Sequence, residues 1–415
     1  MIVPLIKVTQ KKEHIYLSKM KVKDLKKYVV LNFRYPYLES LSSIEQEKFN
    51  DYLKSLGKKG LNVTFSNYSI QRKLQLSKLK SIAEYVKQSN NFIPNAIILG
   101  CFNKLIEEGI QEYDYESVLE QIGNLGMYSI ELDDNYEMTA IDGQHRLAGL
   151  FSSNDPEIDM MELPVVLLFG VSLSTSAKIF IDINSNQKSV DKSLIYDLMP
   201  VLDSDNEGIK LKDREIENIQ RCHKICITFY NNEKSPFYKQ IRMLGTGKGA
   251  ISQAFLVEEI YPLIHHGVLS KLDTQQQFNT LFNYFKSIQE IFPDDWPVSK
   301  DKPEPEEYAS FILNEKKSQL PKTLGVGALL NAFPFIYKKI SEKLDSSSFE
   351  SNKDYNKAQK NLFKEYIGQL KGQIAWSKAE YDEEKKKGNE LIYVSGTNRS
   401  AINKLALEIK GLLNY

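Results

Sequence analysis

The chain has 415 residues, 42% of them hydrophobic and 26% charged, with 54 Lys and Arg matched by 54 Asp and Glu at zero formal net charge. This length exceeds one compact core and points to two or three domains of ordinary soluble composition. The neutral balance excludes global positive charge as an argument for nucleic-acid binding, so any DNA contact requires a local basic patch.

The first residues, Met1 to Ile6, are apolar but lack the basic lead and long apolar core of a signal peptide. Glu13 to Tyr16 and Leu61 to Ser66 read as short strands, and Ser42 to Leu56 and Gln75 to Gln88 as amphipathic helices. Asn95 to Gly100, entered through Pro94, is apolar and β-branched and reads as a buried strand. Tyr128 to Glu131 and Tyr136 to Ile141 read as a hairpin around Asp133-Asp134-Asn135. A short helix is expected from Leu147 to Ser152 and an interior strand from Leu163 to Phe169. Another helix is expected from Ser174 to Ile183, capped by Ser172 or Ser174. The longest apolar runs, Asn95 to Phe102 and Leu163 to Val171, fall far short of a bilayer span, which predicts a cytoplasmic protein with no membrane partner.

Beyond Pro200 the pattern changes. Asp203 to Asp213 reads as a polar connector, and apolar spacing then becomes almost wholly helical. The predicted helices are Ile216 to Phe229, Ser252 to Leu269, Gln275 to Ile291, Leu324 to Leu344, Asn356 to Tyr381 and Ser400 to Leu413. Asp294 to Glu307, rich in Pro and acid with Lys300 and Lys302, reads as an exposed linker. The domains expected are therefore residues 1–200, 201–293 and 308–415. Three cysteines make no disulfide framework. Cys222 and Cys226 flank His223 without a second Cys/His pair nearby, and His265-His266 is distant. They read as a helix face with small buried thiols rather than a zinc site.

Asp142-Gly143-Gln144-His145-Arg146 stands between a predicted strand and a predicted helix. Glycine at such a turn lets backbone approach a ligand, and the free amides of the next helix favour an anion. His145 and Arg146 add donors suited to phosphate oxygens. Arg146 would hold phosphate as a fork, and His145 would donate a hydrogen bond or position water. Asp142 either caps the helix or holds hydrated Mg²⁺ beside the phosphates. Upstream, Gln71-Arg72 lies between a strand and a helix, with Arg72 either bracing Asp142 or reaching phosphate itself. Downstream, Asn184, Gln187 and Lys188 gather amides and a cation suited to base or sugar edges, although an Asn helix cap explains Asn184 alone. Leu244-Gly-Thr-Gly-Lys-Gly249 lacks Walker spacing and reads as a turn, with Lys248 free to touch a nucleic-acid backbone. No nucleophilic triad is legible, and Asp142, Asp182 and Asp191 lack diagnostic nuclease spacing.

The pentapeptide, the upstream Gln71-Arg72 and the downstream Phe180-x-x-Ile183-Asn184-x-x-Gln187 together resemble the DGQHR-domain family, which includes the DndB proteins of DNA phosphorothioation systems. The likeness covers about the first 200 residues; Ser235-Pro-Phe-Tyr238 and Gly249-Ala-Ile-Ser-Gln253 resemble family segments more weakly. It implies an α/β (α+β) ParB/sulfiredoxin-like N-terminal domain followed by a mostly α-helical C-terminal region. It also implies binding of ATP or another nucleotide, with Mg as an accompanying ion, and leaves hydrolysis and oligomerisation open. Gly143, Gln144, His145, Arg146, Gln71, Arg72, Asn184, Gln187 and Lys188 would bind the nucleotide, with His145 and Asp142 the catalytic candidates. The partners implied are DNA and other DNA-modification or defence proteins. A DNA-binding transcriptional regulator without hydrolysis is the alternative. Sulfiredoxin places a nucleophilic cysteine where this chain has Gln144, so sulfinic-acid reduction is excluded.

Overall fold

The computed structural model describes residues 1–35, 43–104, 115–123, 126–185, 192–198, 213–245, 249–297, 318–344, 349 and 351–413. Its described residues divide into two compact units, one up to residue 185 and the other from residue 192 onward. The expected connector at 203–212, most of the linker ending at Glu307, and Asn186, Gln187, Lys188 and Lys248 lie outside the described residues.

Among its described residues the first unit has nine strands: β1 (Ile2–Gln10), β2 (Glu13–Lys21), β3 (Val29–Arg34), β4 (Val63–Ser66), β5 (Ile97–Asn103), β6 (Glu120–Ile122), β7 (Met127–Glu131), β8 (Tyr136–Asp142) and β9 (Glu162–Phe169). They form one mixed sheet in the order β4-β3-β8-β5-β9-β2-β1-β7-β6. Strands β3, β4 and β8 run parallel to one another, as do β5 and β9, while β5 and β8 are antiparallel. The helices of this unit are α1 (Val22–Tyr28), α2 (Ser43–Gly57), α3 (Leu76–Val86), α4 (Gln144–Phe151), α5 (Pro156–Met160) and α6 (Leu173–Ser185). Leu25, Leu79, Leu147 and Leu150 bury against Leu31, Leu99, Met138 and Val165 of the sheet. Each such side chain contributes about 1.5–3 kcal/mol of burial. Gly149 lets α3 and α4 approach closely, since a Cβ there would stand 2.5 Å from Ile82 Cγ2.

The α/β expectation holds for this unit, and most predicted elements appear within a few residues of their expected ends. The predicted hairpin does not form. β7 pairs with β1 and β6, and β8 pairs with β3 and β5, so the segment at Asp133 crosses between separated strands. The turn itself is real, because Asp133 Oδ1 accepts from the Asn135 amide. What takes the place beside β7 is β1, with the chain's amino terminus donating to Leu132 O.

The second unit is predominantly helical: α7 (Lys192–Leu198), α8 (Asp213–Asn231), α9 (Gln253–His265), α10 (Thr274–Ile291), α11 (Thr323–Ser341), α12 (Asn352–Gly368), α13 (Lys378–Lys386) and α14 (Arg399–Leu412). Two short strands, β10 (Ile241–Arg242) and β11 (Ile251–Ser252), pair in parallel ahead of α9. The helix starts follow capping chemistry, with Asp273 and Gln276 forming a reciprocal box and Ser351, Ser377 and Asn398 each accepting a first-turn amide. Aromatic rings fill the centre, Phe237 contacting Phe229, Phe285 and Trp296, and Tyr284 contacting Phe333 and Phe363.

The single helix expected from Asn356 to Tyr381 is two helices. Gly372 takes φ 74°, Ile374 bridges to Ile392, and Trp376 is buried between α12 and α13. Helical spacing continues through this break in sequence, but the buried indole and the left-handed glycine need an extended turn. Cys222 and Cys226 are wholly buried on α8, and burial pushes the Cys222 thiol up to about 12. His223 beside them faces Asp197, with Nε2 3.3 Å from Oδ1.

Candidate functional site

The site lies where β3, β4 and β8 end together. In open α/β sheets, ligands bind beyond the carboxyl ends of strands, where the following turns converge. Two segments meet there: Asn67 to Gln75, which leads from β4 into α3, and Asp142 to Arg146, which leads from β8 into α4. Gln71 fastens them. It is buried, its Nε2 donates to the Ala140 and Ile141 carbonyls at 2.9 and 2.7 Å, and its own carbonyl accepts from the Arg34 amide. The amide nitrogen of Gln71 thus braces the end of β8, beside the turn where it was expected to meet a ligand.

Gly143 sits at the start of α4 with φ 96° and ψ 9°, a left-handed conformation that glycine alone adopts readily. A Cβ at this position would meet Ile97 Cδ1 at 2.6 Å. Among the described residues no side chain caps α4, so the amides of Gln144, His145 and Arg146 open the helix without a side-chain acceptor. Asp142 does not cap the helix, contrary to one of its two expected roles. Its Oδ2 takes Arg146 Nη2 at 2.7 Å instead, an i,i+4 ion pair with side chains 30% and 23% exposed.

Arg146 reaches across the neighbouring strand as well. Its Nη1 donates to Asn95 O at 2.7 Å and Ala96 O at 3.3 Å, where the chain enters β5. The antiparallel β5–β8 pairing puts that entry beside the end of β8. Three of the five guanidinium hydrogens thus serve the protein, and the Nε–H and one Nη2 hydrogen have no protein partner among the described residues. The fork expected for phosphate is first a clamp on the turn.

His145 accepts from the Gln75 amide at Nε2, 3.3 Å away, at the start of α3. This assigns the ring proton to Nδ1. Burial, helped by the charges of Lys78 and Arg72, holds the imidazole down at about 4. His145 is thus a neutral donor near pH 7, and the positive charge beside it comes from Arg72 and Lys78. Lys78 was not singled out by sequence; it becomes visible only when the first turn of α3 is placed next to α4. Lys73 faces an aromatic box, 4.0 Å from the Tyr52 ring centre and 5.3 Å from that of Phe49.

Gln144 is the most unusual member. It is 2% exposed, and neither its Oε1 nor its Nε2 has a hydrogen-bond partner among the described residues. A buried amide left this way costs about 1–3 kcal/mol for each unmet group. Asn184 stands apart from the turn chemistry: its Nδ2 donates to Phe180 O within α6 at 2.7 Å, the helix-terminal role. Among the described residues no group of three His, Cys, Asp or Glu is placed to hold a metal, and Asp142 offers a single carboxylate oxygen, Oδ1. Such a donor suits Mg²⁺ only through water, with the remaining ligands supplied by phosphate.

A family model described as DndB, DNA-sulfur modification-associated, matches residues 3–382. The chain belongs to the DndB family. The match runs through both units of this DndB-family chain, whereas the resemblance read from its motifs rested on the first 200 residues. No curated protein and no solved structure matches the chain. No helix among the described residues is long and apolar enough to cross a membrane.

The imidazole makes stability depend on pH. An unfolded histidine titrates near 6.5, so between about 6.5 and about 4 the unfolded chain binds more protons than the folded one. The stabilisation from neutral His145 is complete above that window, declines as pH falls and is gone below about 4. Urea unfolding of the wild type should lose about 1 kcal/mol between pH 7 and pH 5 from this residue, allowing for partial exposure. His145→Gln should remove that share, and an identical pH difference in the two proteins would refute the assignment.

Proposed function

We propose that the turn after β8 binds the phosphates of a nucleotide, ATP being the first candidate, in a protein that serves a DNA-sulfur modification system in the cytoplasm. Gln144 carries this reading: a buried amide with both polar atoms unmet, one residue after a left-handed glycine and at the uncapped start of a helix. The amides of residues 144–146 would take phosphate oxygens, Arg72 and Lys78 would balance their charge, and His145 Nδ1–H would donate. Mg²⁺ would be carried by the phosphates, with Asp142 Oδ1 reached through water. On this reading the fold of the first unit is ParB/sulfiredoxin-like, and the nucleotide-bound protein acts with DNA and the other components of the system.

The test uses fluorescent ATP with Mg²⁺ and the full-length chain. Arg72→Ala with Lys78→Ala should weaken binding at least tenfold, since each charge-assisted hydrogen bond is worth about 1.5–3 kcal/mol. Gln144→Met, close in volume but apolar, should weaken binding while raising thermal stability. Equal affinity in all three proteins, or a Gln144→Met chain that is both less stable and fully binding, would overturn the proposal.

A further inference from the structure

Strands β1 and β2 are longer than the sheet that holds them. β1 pairs with β7 from Ile2 to Ile6, and β2 pairs with β9 from Tyr16 to Lys21. Beyond those limits Val8 to Gln10 and Glu13 to Ile15 pair only with each other among the described residues. The result is a two-stranded arm that projects about 10 Å past the sheet, at roughly 3.3 Å per residue. Thr9, Gln10, Lys11, Lys12, Glu13 and His14 are all exposed.

The tip of this arm has a costly composition. Two-residue hairpin turns favour Gly, Asn or Asp because one or both central residues take positive φ. Here both central residues are lysines, and Lys11 takes φ 59°, a strained conformation for a side chain of that kind. Neither Lys11 nor Lys12 has a hydrogen bond or ion pair among the described residues. Two cations thus occupy the exposed tip of the arm, in a position where local backbone preference argues against them. Lys7 adds a third charge at the arm's base, over the Tyr128 ring, and Glu13 is the single acid of the arm.

We infer that the β1–β2 arm is a DNA-backbone contact, with Lys11 and Lys12 meeting phosphates and the ribbon lying along a duplex groove. A two-stranded ribbon is one of two elements that the major groove of B-DNA admits. Contacts of this kind position a protein without reading sequence, in keeping with an arm that offers charge and small polar groups rather than a fixed base-reading edge. The neutral whole-chain charge requires DNA binding to come from a local patch, and this arm is one. The inference does not rest on a nucleotide at the β8 turn, which lies in a different part of the sheet.

The experiment measures anisotropy of a short fluorescein-labelled duplex of arbitrary sequence with the full-length protein, across a range of salt concentrations. Lys11→Gly with Lys12→Ser removes both charges and relieves the positive φ, so the arm stays folded and the melting temperature does not fall. That variant should bind DNA roughly ten- to a hundredfold more weakly at 0.1 M salt, with a log–log salt slope shallower by about 2. Lys385→Ser with Lys386→Ser, on the exposed end of α13, serves as the control and should leave both readings unchanged. ATP binding should be the same in all three proteins, which separates this inference from the nucleotide proposal. An unchanged affinity and slope in the arm variant, equal losses in arm and control variants, or wild-type protein that fails to bind the duplex at low salt would each overturn it. So would an arm variant that loses binding to an acidic polypeptide (polyglutamate as the probe) but keeps the duplex.

Discussion

Arg146→Met should lower the free energy of unfolding by about 2–4 kcal/mol, one of the largest effects expected in the first unit. The guanidinium ties together three groups: the Asp142 carboxylate at the end of β8, and the Asn95 and Ala96 carbonyls at the entrance to β5. Hydrogen bonds from a charged donor contribute about 1.5–3 kcal/mol each, and removing that donor leaves the half-buried Ala96 carbonyl and Asp142 carboxylate without it, while water can replace it at the exposed Asn95. The full penalty for breaking a buried pair does not apply, because Asp142 is 30% exposed and water can reach its carboxylate. Arg146→Lys keeps the charge but cannot reach carbonyls and carboxylate in one plane, so it should recover about half of the loss. Adding Asp142→Asn to Arg146→Met should cost little more, since the orphaned carboxylate is then gone. Urea midpoints with an unchanged m-value would measure all of these; a loss below about 0.5 kcal/mol for Arg146→Met would show that the clamp contributes nothing.

This clamp changes how the pentapeptide is understood. Read along the chain, Arg146 is a cation at a helix start, and phosphate is its obvious partner. Asp142, four residues earlier, was visible as a neighbour, yet the pairing at i,i+4 competes with capping and metal binding, and only the φ of Gly143 decides among them. With Gly143 at the helix start, the carboxylate of Asp142 is carried off the helix axis and toward the guanidinium. On the proposed reading, a phosphate would then be held by the backbone amides, by Arg72 and by Lys78, which α3 contributes from a distant stretch of sequence.

Elements with a clean period were legible, β8 and β9 from alternation or apolar runs and α10 from its helical stripe and cap. β1 was hidden because it is apolar on both faces, Ile2 and Ile6 being 72% and 50% exposed while Val3 and Leu5 are buried. Period two cannot be read when both phases are apolar. β3 was hidden for another reason: it follows the seven-residue α1 without a break, so no turn residue announces it. Those two absences also explain the false hairpin, since β1 and β3 are the partners that β7 and β8 take in place of each other. Pairing between strands distant in sequence is set by tertiary burial, which local spacing does not encode.

Gly143→Ala should be costlier still at the site itself. Two separable penalties meet at this residue. A side chain held at φ 96° leaves the left-handed basin open to non-glycine residues, at about 1–2 kcal/mol. The new methyl also overlaps Ile97 Cδ1 at 2.6 Å, inside a fully buried part of β5, adding about 1–3 kcal/mol. Shortening the neighbour distinguishes them. Ile97→Val alone should cost about 0.5–1.5 kcal/mol, but in the Gly143→Ala background it removes the overlapping carbon, so the double variant should be more stable than the sum of the singles by about 1 kcal/mol. Nucleotide affinity should not recover in the double variant. The α4 amides would still be displaced by the altered backbone, and their aim, rather than the space around them, is what a phosphate requires. Strict additivity of the two substitutions would remove Ile97 from the account, and full binding by Gly143→Ala would show that the left-handed turn has no part in holding an anion.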